Sequence, residues 1–155
     1  MQNFIKSQTR LAFVQYIFQS LILDINTIES NREFQENFYN ANIAVMGEKK
    51  KINLKFNKNL FNRLSDFYIN QFNQKKIIDQ LNQNITTDRK FNNWDRVVKS
   101  LIYAIIIELN ITENSKIKIV INDYLNIAKS LVSLKETNLI NAIIQNFIDE
   151  KKITK

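Results

Sequence analysis

The protein has 155 residues, one Gly, no Pro, no Cys and no His, and its formal net charge is +7. This length suits one domain whose core needs no disulfide or metal to hold it together. Without Cys or His, disulfides, thiolate nucleophiles, the usual zinc sites and the commonest general base are excluded. A single Gly also excludes the Gly-rich phosphate loops of nucleotide-binding enzymes.

The scarcity of Gly and Pro favours helices joined by short polar connections, so the sequence predicts an all-α fold of about six or seven helices. An enzyme built from this sequence would depend on carboxylates, Lys, Tyr or Ser. The adjacent carboxylates Asp149 and Glu150 lie near a charged tail, which is typical of a solvated helix end. We therefore expect a binding protein with no catalytic residues, no cofactor and no metal.

The first predicted helix runs from Ser7 to Asp24. Its apolar residues recur at steps of three and four, which predicts that they are buried: Leu11, Val14, Phe18, Leu21 and Ile22. Lys6 and Arg10 precede this stripe as exposed charges. The uncharged stretch from Leu11 to Leu23 is too short to span a bilayer and has no small-residue cleavage site after it. We therefore expect a soluble, cytoplasmic protein.

The second predicted helix begins at Ser30, because Ser30 and Glu33 have the spacing of a capping box. This helix carries Phe34, Phe38 and Tyr39. The apolar pattern then fails from Ala41 to Phe56, where Gly47 and the run Lys49 to Lys51 predict a loop.

A long amphipathic segment follows from Asn57 to about Ile85. A break near Gln74 to Lys76 leaves open whether it forms one helix or two. Its core-facing positions share the helical period: Leu60, Leu64, Phe67, Phe72, Ile77, Ile78 and Leu81.

The next predicted helix is capped by Asn92, with Asp95 three positions later, and contains the unbroken apolar run from Leu101 to Ile107. Such a helix must be covered on most sides. Glu108 follows this run, and a carboxylate there is costly unless it reaches the rim or meets a cation. Two interpretations stay open: an internal salt bridge, or a charge presented to a partner protein.

Two further helices complete the prediction. Residues Lys116 to Ile121 alternate like a strand, but the helical period of Asn122 to Val132 favours one helix over the whole stretch. Ser133 and Glu136 form another capping-box pair and open a last helix. Its predicted inward side chains are Leu139, Ile140, Ile143, Ile144 and Phe147.

The positive charge is concentrated in the middle of the sequence. Between Lys49 and Lys99, twelve Lys or Arg residues face four Asp residues, a net charge of +8, while the rest of the chain carries −1. This excess favours a polyanionic partner, although solvated surface charge is an equally ordinary reason for it.

Several segments resemble the NusB family of transcription antitermination factors. The segment from Arg10 to Phe18 is similar to the family's opening helix in its Arg, Ala, Gln and aromatic positions. Arg96 to Leu109 resembles the family's buried helix, which ends in Glu-Leu. The block Ile121-Asn-Asp to Ala128-Lys is the most specific match, and Leu139 to Ile144 occupies the place of the family's Phe-Val-Asn-Gly-Val-Leu signature.

The resemblance implies one domain over residues 1–155, built from two packed helical subdomains and without enzymatic activity. It also implies binding to boxA RNA in ribosomal RNA leaders, together with the small-subunit ribosomal protein called NusE in this role. The resulting complex would join RNA polymerase and suppress premature termination.

The family resemblance also suggests the site residues. Lys6 and Arg10 would contact RNA phosphates, while Gln15 and Asn141 would hydrogen-bond to exposed base edges of single-stranded RNA. A helix-packing hydrogen bond is the alternative for both Gln15 and Asn141. Phe18 and Glu108 would face the partner protein.

Departures from the family pattern suggest weaker or redistributed RNA binding. The arm before the first helix is poor in Arg, and Lys116 and Ala142 replace a Pro and a Gly. Leu139 replaces an aromatic residue. Gln145 replaces an acidic one, and we include it among the RNA-binding residues.

Two alternatives differ from this hypothesis. The RNA-binding domain of ribosomal RNA cytosine methyltransferases has similar sequences, but that enzyme needs a second domain with a Gly-rich cofactor loop. A helical scaffold without RNA affinity is the other alternative. Salt-dependent binding to a boxA-like RNA distinguishes the scaffold from an antitermination factor.

Overall fold

The computed structural model describes the backbone of residues 2–46 and 56–151, and the side chains of residues 3–37 and 56–150. Those ranges contain no strand, which confirms the predicted all-α fold. The α-helices are α1 (Gln2–Leu23), α2 (Ile28–Met46), α3 (Lys58–Asn70), α4 (Gln74–Asn82), α5 (Arg96–Asn110), α6 (Ile117–Leu131) and α7 (Leu134–Lys151). The chain divides into two compact units, Met1–Asn70 and Gln71–Lys155.

The first unit is held together by aromatic rings from α1, α2 and α3. Phe61 stacks on Phe34 with ring centroids 5.9 Å apart and meets Phe13 edge to face at the same distance. The ring of Tyr16 lies 6.0 Å from those of both Phe61 and Tyr68. Such pairs add about 0.5–1.5 kcal/mol each to the stabilisation from buried area, so this cluster is the centre of the unit.

Polar groups in this core have partners. The hydroxyls of Ser20 and Tyr68 lie 2.7 Å apart. The side-chain amide of Asn31 donates to Ser65 Oγ at 3.0 Å, and both residues are buried. Burial raises the pKa of Tyr68 to about 12, because its ionised form would lose hydration.

The buried face of α1 differs from the predicted one. Phe13, Tyr16, Ile17 and Ser20 are buried, whereas Ile22 is exposed. Leu11, Phe18 and Leu21 are half-buried, and only Val14 of the predicted stripe is fully buried. The prediction failed because apolar residues surround much of α1, and because the inner face also contains hydroxyl groups. Hydrogen bonds within the unit satisfy those hydroxyls in the interior.

The end of α1 has Asp24 in the left-handed position that Gly usually occupies in helices with this type of ending. Asp24 has a φ of 55°, and the amide of Ile25 donates to the Ser20 carbonyl at 3.2 Å, the long-range bond of a Schellman motif. A residue with a Cβ pays a steric cost in this left-handed conformation, although Asp tolerates it better than most.

Asp24→Gly should therefore raise the free energy of unfolding by about 0.5–1 kcal/mol, because Gly removes the steric cost at this position. Urea denaturation of both proteins would measure the difference. Asn84→Gly serves as the control. Asn84 lies in a turn and its φ is not positive, so this substitution should not increase the free energy of unfolding. Equal or lower stability of Asp24→Gly would contradict this account of the α1 end.

The second helix begins earlier than predicted. Thr27 Oγ1 accepts from the Ser30 amide at 3.1 Å, and Ser30 Oγ accepts from the Thr27 amide at 2.9 Å. Thr27 therefore caps the helix, and the prediction of Ser30 with Glu33 was wrong by one turn. The helix also continues past Ala41 to Met46. The side chains of Phe38 and Tyr39, and the predicted loop at Gly47 and Lys49 to Lys51, lie outside the described residues.

The long amphipathic segment forms two helices. It breaks between Asn70 and Gln74, where Asn73 caps α4 by accepting from the Lys76 amide at 3.0 Å. Leu60, Leu64 and Leu81 are buried as predicted. Phe67, Ile77 and Ile78 are half-buried.

The second unit is built around α5. Every residue from Leu101 to Ile107 is completely buried, as the apolar run predicts, and α6 and α7 both pack against this helix. Asp95 caps α5 by accepting from the Val97 amide at 2.7 Å. The predicted cap, Asn92, lies instead in the short 3-10 helix Phe91–Asn93. None of the described helices combines the length and apolarity needed to cross a membrane.

The last two helices follow the prediction closely. Residues 117–131 form one helix, which includes the alternating residues 117–121. The capping box at the start of α7 is confirmed, since Ser133 Oγ and the Glu136 amide, and Glu136 Oε1 and the Ser133 amide, pair at 3.1 Å each. Ile140, Ile143, Ile144 and Phe147 are buried, but Leu139 is 40 % exposed, so its predicted inward orientation was wrong.

Candidate nucleic-acid and partner interface

The basic residues of α1 differ in accessibility. Lys6 is exposed in the second turn of the helix. Arg10, one turn later, is only 7 % exposed, which corrects the expectation of an exposed side chain. The helix begins at Gln2, five residues before the predicted start, so Arg10 lies within the packed part of the helix. Lys6 is therefore the more accessible cation for a phosphate.

Gln15 lies on a different side of α1 from Lys6. The two are nine residues apart, which is two and a half turns of an α-helix and places them on roughly opposite faces. Gln15 is exposed and shares its face with the half-buried Phe18, three residues further on. Within this helix, the candidate base-contacting Gln15 is thus adjacent to the candidate partner-contacting Phe18.

The candidate RNA residues of α7 are both accessible. Asn141 and Gln145 are exposed, and their spacing of one turn places them side by side. Ile140 and Ile144, each preceding one of them, are completely buried and fix this orientation of the helix. The exposure of Asn141 and Gln15 favours availability to a ligand over the alternative of a helix-packing hydrogen bond.

Glu108 occupies the interior of the second unit. Its side chain is 3 % exposed, and Glu108 Oε1 accepts a hydrogen bond from the Tyr124 hydroxyl at 2.8 Å. Tyr124 is completely buried on α6. Burial therefore favours an internal role for Glu108. The contact shown is a hydrogen bond from Tyr124, which sequence reasoning did not identify, where the sequence interpretation was an internal salt bridge. A direct contact between Glu108 and another protein would need this buried group to be uncovered.

A shallow depression in the second unit was also missed by sequence reasoning. It has a volume of about 330 Å³ and is lined by Arg89, Trp94, Asp95, Val98, Glu136 and Leu139. A half-buried Trp could stack on a base, but the two carboxylates there disfavour a phosphate chain. Both have a local role, since Asp95 caps α5 and Glu136 belongs to the capping box of α7.

Within the described residues, no group of three or more Asp or Glu side chains is placed to hold a metal ion. The accessible candidates, Lys6, Gln15, Asn141 and Gln145, supply one cation and three amides. Such groups can bind phosphates and base edges.

The fold and these positions define the class: an all-α protein of two helical units. The profile described as the NusB family matches residues 7–149. The chain belongs to the NusB family, as the sequence resemblance predicted. Every candidate site residue except Lys6 falls inside the matched range.

Individual relatives agree with this assignment at low identity. The Transcription antitermination protein NusB of Rickettsia bellii (strain OSU 85-389) is 24 % identical over 147 residues, covering 95 % of this chain and 92 % of the relative. The protein of the same name from Rickettsia massiliae (strain Mtu5) is 21 % identical over 145 residues, covering 94 % and 92 %. The similarity therefore extends over almost the full length of both proteins.

Proposed function

We propose that this protein is a transcription antitermination factor without enzymatic activity. It binds boxA-type single-stranded RNA together with the small-subunit ribosomal protein acting as NusE, and it helps RNA polymerase to read through terminators in ribosomal RNA operons. The observation that carries the proposal is the family match over residues 7–149, supported by relatives named as transcription antitermination proteins.

RNA contacts are assigned to exposed residues of both units. In the first unit Lys6 attracts phosphate and Gln15 offers an amide to a base, while Asn141 and Gln145 offer amides in the second unit. Arg10 adds positive charge near Lys6, although its burial leaves less of the guanidinium for RNA. Phe18 is the accessible candidate for the partner protein.

Copurification tests the whole proposal. The full-length protein, tagged and isolated from its own cells, should bring down a small-subunit ribosomal protein and leader RNA that contains a boxA-like element. If neither is recovered, the antitermination function is wrong. Recovery of proteins without RNA, combined with no salt-dependent RNA binding in solution, would support the helical scaffold instead.

Lys6→Ala should weaken RNA binding without changing the melting temperature, because Lys6 is exposed and contributes charge instead of buried area. Loss of one phosphate contact should reduce the slope of log K against log salt by about 0.7 for single-stranded RNA. Fluorescence anisotropy at several salt concentrations would measure both quantities. Lys118→Ala, at another exposed Lys in the second unit, is the control.

Arg10→Ala should also weaken RNA binding. Because Arg10 is buried, the substitution also removes packing contacts and should lower the free energy of unfolding. The Lys6 variant is therefore the cleaner measurement. Unchanged affinity and salt slope in both variants would place the RNA site away from the start of α1.

The Lys run at 49–51 should contribute only nonspecific attraction. Changing Lys49, Lys50 and Lys51 to Gln is expected to lower binding to boxA-like and scrambled RNA by similar factors, because phosphate contacts carry no sequence information. Parallel titrations with the two RNAs would measure this. A loss confined to the boxA-like RNA would show that these residues take part in specific recognition.

A further inference from the structure

The junction between α1 and α2 exposes a cluster of large apolar side chains. Ile22, Leu23, Ile25 and Ile28 are all at least 50 % exposed, and they fall within seven residues. We call these four residues the α1–α2 corner. Single exposed apolar residues are ordinary, but a cluster of them marks a site of interaction.

The backbone at the α1–α2 corner is ordered by hydrogen bonds. The Ile25 amide donates to the Ser20 carbonyl, and Thr27 and Ser30 cap α2. The side chain of Asn26 accepts from the Tyr16 hydroxyl at 2.9 Å and donates to the Tyr68 carbonyl at 3.2 Å. These hydrogen bonds fix the backbone that carries the apolar side chains. Binding of a partner therefore does not include the entropic cost of ordering this segment.

A depression of about 210 Å³ opens at the α1–α2 corner. Leu23 and Ile25 line it together with the carboxylates of Glu29 and Glu33. Its volume corresponds to that of roughly seven liquid water molecules at ~30 Å³ each. A single apolar side chain can therefore enter beside two negative charges.

The charge around the α1–α2 corner is opposite to that of the whole protein. From Ser20 to Asn37 the sequence contains Asp24, Glu29, Glu33 and Glu36 but only one basic residue, Arg32, a net charge of −3 in a chain of +7. The described carboxylate-bearing residues of this stretch are all exposed. This field repels RNA phosphates and anionic lipid headgroups and attracts a basic partner.

We propose that the α1–α2 corner binds a basic, amphipathic helical segment of a partner protein. One apolar side chain of that segment enters the depression between Leu23 and Ile25, and Lys or Arg residues face Glu29 and Glu33. This is the helix-in-groove mode of recognition, with charge setting the preference for a basic partner. The inference goes beyond the proposed function, since none of the candidate RNA residues belongs to this corner.

A defined peptide tests the proposal on the full-length protein. The probe is a 14-residue helix-forming peptide of Leu and Lys, with Leu along one face, titrated into ¹⁵N-labelled protein. Amide shifts should change at residues 20–33. Leu23→Ser with Ile25→Ser should weaken binding at least tenfold, and Glu29→Lys with Glu33→Lys should do the same while reducing the salt dependence.

Matched variants in the second unit serve as controls. Ile119→Ser with Leu134→Ser replaces two apolar residues that are still more exposed, and Glu113→Lys with Glu150→Lys makes the same change in net charge. Both control pairs should retain the affinity of the unchanged protein. The charge variants keep the test valid if the Ser variants prove unstable, because Glu29 and Glu33 are exposed.

Several results would overturn the proposal. Equal binding of a peptide with Glu in place of Lys would show apolar adhesion without charge recognition. Shifts outside residues 20–33, or an equal loss of affinity in a control pair, would place the peptide elsewhere. Sedimentation showing that the protein alone dimerises, and that Leu23→Ser with Ile25→Ser abolishes the dimer, would identify a second copy as the occupant.

Discussion

Replacing Phe61 by Ala should lower the free energy of unfolding by about 3–5 kcal/mol, the usual cost of deleting a buried aromatic ring. Phe61 is completely buried and contacts the rings of Phe13, Tyr16, Phe34 and Phe56 at centroid distances of 5.7–6.0 Å. Four neighbours from three parts of the sequence cannot close around the vacated space without moving helices, so most of the cavity should persist.

Urea denaturation followed by circular dichroism would measure this loss. Phe4→Ala is the matched control, because Phe4 is 63 % exposed and its removal should change stability by less than about 0.5 kcal/mol. A cost for Phe61→Ala below about 1.5 kcal/mol would show that the aromatic cluster is not the centre of the first unit. The expected loss of about 3–5 kcal/mol is a large part of the free energy of unfolding of a domain, which is usually only about 5–15 kcal/mol.

Phe61 also illustrates the limits of prediction from this sequence. It was absent from the predicted core, while the neighbouring Leu60 and Leu64 were correctly included. Periodicity identifies one stripe of a helix, but a face that packs against two neighbouring helices is wider than that stripe. The same limit affected α1, whose apolar residues surround much of the helix. Local pattern could not decide which side faces the core, because that depends on contacts with α2 and α3.

Capping-box spacing predicted one helix start and missed another. Ser133 with Glu136 was correct, and the structure pairs these two residues in both directions. At α2 the sequence has Thr27, Ser30 and Glu33 at successive steps of three, and only Ser30 with Glu33 has the residue types of a capping box. In the structure Thr27 is the cap, because the chain leaves the Schellman turn at the end of α1 and enters α2 at this residue. Asp24 adopts the left-handed conformation that ends α1. Unlike a Gly, an Asp in the sequence does not indicate a helix end of this kind.

The candidate site was less predictable than the fold. Family resemblance supplied residue types and positions, but exposure decides whether a side chain can reach a ligand. The resemblance suggested Arg10 and Glu108, which are buried, whereas Asn141 and Gln145 are exposed beside buried Ile residues. The partner of Glu108 lies 16 positions away on α6, and no local pattern could identify it.

Glu108→Gln should lower stability by about 1–3 kcal/mol while leaving the affinity for the ribosomal partner protein unchanged. The variant keeps the shape of the side chain and an oxygen that can accept from the Tyr124 hydroxyl. It also introduces a buried amide N–H₂ group, and an unsatisfied donor in the interior costs about 1–3 kcal/mol. Thermal melting would measure the loss, and a titration with the partner protein, scaled to the folded fraction, would measure affinity.

Tyr124→Phe is the companion variant, because it deletes only the hydroxyl that donates to Glu108. Tyr124→Phe should itself lower stability, because it removes a hydrogen bond that Glu108 Oε1 accepts in the interior, a bond that Glu108→Gln keeps. Reduced partner affinity in Glu108→Gln with an unchanged melting temperature would contradict the internal role and restore Glu108 to the partner surface. Reduced melting temperature with unchanged affinity would instead leave Phe18 as the candidate contact on that surface, and Phe18→Ala should then weaken the partner complex with little change in melting.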